Sequence, residues 1–309
     1  MSGSPHAFLL GGPNKILKCQ PFAAFCGRSS AAKRPEAKQT KMYLLGRKGR
    51  RSSNVPCPER VKEVYGALIS GLDECLKYHQ NVLDNLTVQL QDMTVTSKVR
   101  DRYNLEKQTR TTKSYIQRLR LHINKVEDLY ENYCIQKRIR EGACRMKQAF
   151  AASSNSKASR QGLCNINKHL KEYARNMATL EAEMENLIGE FYIKMKGLAG
   201  FARLCPGDLY EVFMTYGCQQ WKLKGKIEAK NLQSWDGLDM FFRPSINSLF
   251  SINVAEVKAI VPNLPVGSVS FDTKNFFTAP TQTFTADVNE LGTIGIHLEV
   301  TWCPFKQND

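Results

Sequence analysis

Leu163, Ile166, Leu170, Tyr173, Met177, Leu180, Met184, Leu187 and Phe191 recur in alternating steps of three and four. Side chains spaced in this way fall on one stripe of an α-helix, the seam geometry of coiled coils. A chain with this rhythm must lay that helix along a partner over several turns, which already excludes an all-β protein. Two further stripes precede it. Tyr65, Leu68, Leu72, Cys75, His79, Leu83, Leu86, Leu90 and Met93 form the first, and Pro58 suits the opening turn of its helix. Ile116, Leu119, Ile123, Val126, Tyr130 and Tyr133 form the second, with polar residues at its seam positions between Gln108 and Thr112 predicting looser packing there. The β-branched and polar residues from Thr94 to Ser97 predict a turn, and Ser153 to Ser156 a linker. One stripe on each of three helices predicts an elongated antiparallel bundle, with the third helix pairing either within the chain or with a second copy.

Beyond Lys196-Gly197-Leu198-Ala199-Gly200 the period falls to two. Trp221, Leu223, Ile227 and Ala229 alternate with Lys222, Lys224, Lys226, Glu228 and Lys230, and Ile294, Ile296, Leu298, Val300 and Trp302 alternate with polar or small residues. Turn signals at Trp235-Asp236-Gly237, Pro262-Asn263 and Leu291-Gly292 separate such runs. This pattern predicts a β-sandwich of seven or eight strands between Pro206 and Phe305. The first 56 residues have no sustained period and are rich in Lys, Arg, Ser, Gly and Pro, so they read as a disordered basic arm. Of the formal net charge of +15, +10 lies in residues 1–60, while residues 201–309 sum to −2. The expected domains are therefore the arm at 1–56, a helical region at 57–200 and a β-sandwich at 201–309.

Several function classes lose their warrant. No stretch approaches the roughly 20 uncharged apolar residues of a membrane span, and Ala7 to Leu10 is too short for a secretory core. The 10 cysteines contain no C-x-x-C pair and no histidine at ligand spacing, so they predict reduced thiols in a cytoplasmic protein rather than disulfides or zinc. There is no phosphate-binding glycine loop, nucleophile elbow or H-E-x-x-H. His6, His79, His122, His169 and His297 are scattered, and the carboxylate pairs Asp236/Asp239 and Asp272/Asp287 lie in separate predicted turns, which does not suit calcium. These absences argue against an enzyme and against a metal or other cofactor.

What remains is surface charge. Lys222, Lys224 and Lys226 project from one face of a single strand and predict either a solvated outer face or a row that meets anionic phospholipid. The middle helix carries Arg118, Arg120, Lys125, Lys137, Arg138 and Arg140, interleaved with Glu127, Asp128 and Glu131, and reads as a solvated face or a partner surface. No groove-reading motif or stacking platform accompanies the charge, so nucleic acid is not an expected partner. In the arm, Ser53 follows Arg50 and Arg51 and is a phosphorylation candidate.

Residues 123–151 (INKVEDLYENYCIQKRIREGACRMKQAFA), 189–208 (GEFYIKMKGLAGFARLCPGD), 221–228 (WKLKGKIE) and 290–305 (ELGTIGIHLEVTWCPF) together resemble the N-terminal part of the Rho family-interacting cell polarization regulators, the RIPOR family. The resemblance covers nearly the whole chain. It implies a non-enzymatic regulator that binds Rho-family GTPases, inhibits RhoA signalling and influences cell polarity, migration and the actin cytoskeleton. It also implies self-association, 14-3-3 adaptor binding after phosphorylation, and a place at the cytoskeleton or plasma-membrane protrusions. The fold class expected is α+β: the arm, a long antiparallel helical or coiled-coil region, then a C2-like antiparallel β-sandwich. Where the family's arm reads Ser-Gln-Ser-Phe-Ala-Gly-Phe, this chain has Cys19-Gln20-Pro21-Phe22-Ala23-Ala24-Phe25, which removes both serines and weakens the 14-3-3 expectation at that motif. Tyr103-Asn104-Leu105-Glu106-Lys107-Gln108 is a milder departure from the family's Tyr-Asp-Leu-Asp-Lys-Gln. The chain stops just after the β region, where long family members continue, so either a short isoform or a divergent, truncated copy is expected. The residues expected to meet the GTPase are Arg100, Arg102, Lys107, Arg110, Arg118 and Arg120, on the outer face of the first two helices. The alternative is a dimeric scaffold on anionic membrane.

Overall fold

A computed structural model describes residues 56–93, 99–153, 156–200, 204–229, 232–237, 239–258 and 262–305. Residues 1–55 of the arm, Ser53 among them, and the turn expected from Thr94 to Ser97 lie outside the described residues. Three helices follow one another: α1 (Pro58–Asp92), α2 (Val99–Ala152) and α3 (Lys157–Leu187). At 54 residues, α2 is a rod of roughly 80 Å, and α1 and α3 both pack on it. Tyr65 of α1 stacks on Tyr130 of α2 with ring centroids 3.6 Å apart, and His79 meets Tyr115, which sets α1 antiparallel to α2. In the same way Tyr133 meets Glu181, and His122 meets the end of α3. Ile166, Met177 and Met184 are buried and Leu163, Leu170, Tyr173 and Leu180 half-buried, so the cleanest stripe finds its seam within the chain.

The helix ends are held by distant residues. Cys57 gives α1 no side-chain cap. Instead the Glu181 carboxylate, arriving from α3, accepts from the Cys57 N–H at 3.0 Å and from the Tyr133 hydroxyl at 2.7 Å. At the N-terminus of α3 the Ser156 hydroxyl accepts from the Ser159 N–H at 3.1 Å, an ordinary serine cap. At its other end His122 Nε2 and Trp302 Nε1 donate to the carbonyls of Leu187 and Ile188, each at 2.8 Å, which satisfies groups that a helix terminus leaves orphaned.

The sandwich begins earlier than the sequence pattern places it. Gly189 takes φ +90°, and a Cβ there would stand 2.2 Å from the Cys303 carbonyl oxygen, so the chain turns out of the helix where only glycine fits. β1 (Glu190–Gly200) follows immediately, and the helical region therefore ends at Leu187 rather than at residue 200. Phe191 stands four residues after Leu187 and mimics another seam step. It is also the first of Phe191, Ile193 and Met195, whose period of two packs the sandwich core. The remaining strands are β2 (Leu209–Tyr216), β3 (Gln219–Ile227), β4 (Gln233–Trp235), β5 (Asp239–Phe242), β6 (Phe250–Val257), β7 (Leu264–Phe271), β8 (Gln282–Asp287) and β9 (Ile294–Cys303). They form two antiparallel sheets, ordered β5-β1-β9-β8 and β4-β3-β2-β6-β7. Between the sheets lie Phe191, Tyr216, Trp221, Phe242 and Phe250, all buried.

Helices and sandwich share one hydrophobic core, which runs from Val61, Leu68 and Leu72 through Phe277 and Phe191 to Trp302. Gly71 of α1 lies so close to the Phe277 backbone that a Cβ would stand 2.6 Å from its oxygen. Beside it Arg60 forms a fork on Asp272, with Nη2–Oδ1 at 2.7 Å, and its Nε donates to the Ile246 carbonyl at 2.8 Å. Asp272 caps the short 3-10 turn Thr273–Phe276, and Lys274 from that turn reaches Glu63 at 2.9 Å. Burial alone would raise the Asp272 carboxyl; the hydrogen bonds from Arg60 and the Lys274 N–H outweigh it and hold the group below the usual carboxylate range. On α3 the Glu185 carboxylate accepts from the Ser245 hydroxyl and the Ile246 N–H, both at 2.8 Å. A polar rim thus surrounds an apolar joint, and the two parts form one body.

Candidate functional site

The six cations expected to meet a partner do not share one face of α2. At about 3.6 residues per turn, Arg118 and Arg120 flank the buried Leu119 on opposite sides. All six are exposed, but their surroundings differ. Arg102 and Arg110 both turn to Glu106, one turn away, at 3.3 and 3.9 Å. Arg120 borders an open recess of about 400 Å³ between α1 and α2, together with Gln80, Lys113 and Gln117. Arg118 lies over the Phe305 ring, 4.1 Å from its centroid, and so helps to clasp the end of the sandwich onto α2. Tyr115 and His122 complete that clasp, with ring centroids 5.4 and 5.3 Å from Phe305. Five of the six thus remain on open helix surface, and one is engaged by the fold.

The lysine row has the geometry its spacing predicts. In β3, Trp221, Leu223, Gly225 and Ile227 are buried while Lys222, Lys224 and Lys226 are exposed, so three ammonium groups stand on the outer face of the five-stranded sheet. The neighbouring β2 places Phe213 beside Lys222, Glu211 beside Lys224 and Leu209 beside Lys226. Glu211 accepts from Lys222 at 2.7 Å and lies 4.0 Å from Lys224, and this local acid, unseen in the one-strand pattern, offsets part of the charge. At the edge of the row is a shallow recess of about 380 Å³ lined by Leu209, Tyr210, Lys224, Lys226, Trp235 and Val257. Trp235 covers Gly225, where a Cβ would stand 2.5 Å from the indole. Its Nε1–H is buried without a hydrogen-bond partner among the described residues.

The other titratable groups are absorbed by structure. His79 is packed against Tyr78 and Tyr115, and burial lowers its pKa; burial also lowers that of His122, which caps α3. Burial pushes the Cys75 thiol up to about 11, opposite to what a nucleophilic thiol requires. The Asp236 carboxylate accepts from the Lys224 N–H at 2.8 Å, and Asp272 is committed to Arg60. Among the described residues no three His, Cys, Asp or Glu side chains converge to hold a metal ion, and no helix is long and apolar enough to cross a membrane. On the surface stand an open α1–α2 face with the α2 cations and the basic outer face of the five-stranded sheet.

The chain is similar to proteins of one family. The family model described as "PL48: Filopodia upregulated, FAM65" matches residues 9–309. The chain is 52% identical to chicken Rho family-interacting cell polarization regulator 2 over 100% of its own length and 54% of that protein. It is 52% identical to the human protein of the same name, over 98% of this chain and 30% of that one, and 39% identical to rat Rho family-interacting cell polarization regulator 1 over 96% of this chain. The chain belongs to this family, and it spans about half or less of the length of these relatives. Among solved structures it is similar to a C2 domain of a plant extended synaptotagmin 1, at 16% identity over 38% of this chain and 95% of that domain, with a TM-score of 0.30.

Proposed function

We propose that the chain is a non-enzymatic regulatory module that binds a Rho-family GTPase through the open face of α1 and α2 and restrains RhoA signalling by occupancy. A helical hairpin lying on the GTPase competes with effectors or exchange factors, and no covalent step is required. The carrying observation is kinship, over nearly the whole of this chain, to proteins named for Rho interaction, joined to a helical surface with exposed cations on α2. Arg100, Arg102, Lys107, Arg110 and Arg120 are the contacts expected to matter, with Arg118 contributing through the Phe305 clasp. In this reading the module acts at the cytoskeleton or at membrane protrusions during polarisation and migration. Self-association and phosphorylation-dependent 14-3-3 binding belong to the same reading. Lys107→Glu combined with Arg110→Glu should weaken Rho binding by at least about tenfold, the usual scale for charge reversal at a docking face. Undiminished binding to GTP- and GDP-loaded Rho would move the interface elsewhere.

A second reading is favoured by the row of Lys222, Lys224 and Lys226, exposed together on the outer face of the five-stranded sheet. The outer sheet face then docks on anionic phospholipid, with lysines toward the head groups. Replacing Lys222, Lys224 and Lys226 together by Glu should cut liposome binding by at least about tenfold, and added salt should mimic the loss. A salt-insensitive interaction that survives the substitution contradicts it.

A further inference from the structure

Opposite its seam, α3 carries Lys157, Arg160, Cys164, Lys168, Lys171 and Arg175, in steps of three and four and all exposed. They form a straight cationic stripe about 27 Å long. None of the five cations has an acid within ion-pair distance among the described residues; Glu172, the one acid of that half of the helix, turns to His169 at 3.6 Å. Helix stability does not explain the arrangement. Lys157 and Arg160 sit at the N-terminal end, where no acid occupies the first turn and the helix dipole disfavours positive charge. Lys157/Arg160, Lys168/Lys171 and Lys171/Arg175 are like charges three or four residues apart, which also disfavours the helix. A merely solvated face would interleave acids, as α2 does with Glu127, Asp128 and Glu131.

We infer that this stripe is a docking surface for an anionic phospholipid bilayer, separate from the lysine row of β3. The apolar side of α3 is already spent on α2, so the helix binds at head-group level without inserting. No Phe, Tyr or Trp of α3 stands exposed for a nucleobase to stack on. A flat sheet of phosphates engages all five cations at once, each adding to the attraction.

The test uses the full chain with Cys19, Cys26, Cys205 and Cys218 replaced by serine and a fluorophore on Cys164, in the middle of the stripe. Vesicles containing phosphatidylserine should shield that fluorophore from a neutral aqueous quencher, and vesicles of phosphatidylcholine alone should not. Changing Lys157, Arg160, Lys168, Lys171 and Arg175 to Glu should lower vesicle partitioning by more than about tenfold while circular dichroism stays helical. The Lys222/Lys224/Lys226 substitution should leave the shielding of Cys164 in place on the vesicles that still bind. The inference is overturned if the chain binds vesicles with Cys164 fully open to quencher. It is equally overturned if the charge-reversed chain binds as well as the parent, or if duplex oligonucleotide shields the label where phosphatidylserine vesicles do not.

Discussion

Phe242→Ala should destabilise the protein by about 4 kcal/mol, the usual cost of emptying a large aromatic site in a packed core. Phe242 lies at the end of β5 with 1% of its surface exposed. Its ring stacks on Phe191 and Phe250 with centroids 5.1 and 5.2 Å away, tilts against Tyr216 at 4.9 Å and meets Trp221 edge-to-face at 5.9 Å. It is therefore the common neighbour of strands from both sheets. Removing it leaves a void bounded by four rings drawn from both sheets, so little collapse can refill it. Denaturant unfolding monitored by tryptophan fluorescence gives the number, and a loss below about 1 kcal/mol would mean the sheets are not joined there. Because helices and sandwich share one core, helical and tryptophan signals should fall together.

Gly71→Leu should have the next largest effect, roughly 3 kcal/mol, at the upper end of overpacking costs. The cause is the contact of α1 with backbone: a Cβ at Gly71 would stand 2.6 Å from the Phe277 oxygen and 2.7 Å from its Cβ. Backbone cannot swing aside as a side-chain tip does, so α1 must lift and stretch the Arg60–Asp272 fork and the Glu63–Lys274 pair with it. Gly66 is the internal control. It lies five residues earlier in α1, on another face, and a Cβ there would meet nothing within 4 Å, so Gly66→Leu should be neutral or slightly stabilising. Hydrogen exchange of the amides around Val61 to Leu72 and Thr273 to Phe277 should accelerate in the first variant alone. Equal behaviour of the two variants would contradict the joint between α1 and the sandwich.

The helices and strands were legible because their cause is local. Seam residues such as Met177 and Met184, and strand residues such as Leu223 and Leu298, announce themselves by period. The junction at Ile188 to Glu190 was ambiguous for a physical reason: Phe191 satisfies both a three-four step and a two-residue alternation, and only the close approach of the Cys303 carbonyl to Gly189 decides between them. The joint between helices and sandwich left no trace in spacing. Arg60 meets Asp272, and Glu181 meets Cys57, across more than a hundred residues, so no window of sequence contains both partners. Spacing likewise places Arg118 among the outward cations without foretelling that it lies over the Phe305 ring. Glu211 beside the lysine row is a cross-strand neighbour, fixed by the β2–β3 register. The α3 stripe was within reach, since the arithmetic that finds its apolar seam also finds the cations opposite.

Docking without chemistry is tested most directly by a calorimetric titration of the full chain into RhoA, once with the GTPase loaded with a non-hydrolysable GTP analogue and once with GDP. The predicted result is saturable binding to at least one loaded form, weakened by Lys107→Glu with Arg110→Glu and retained when Lys222, Lys224 and Lys226 are replaced. The contradicting result is no heat and no complex with either form while the chain remains folded.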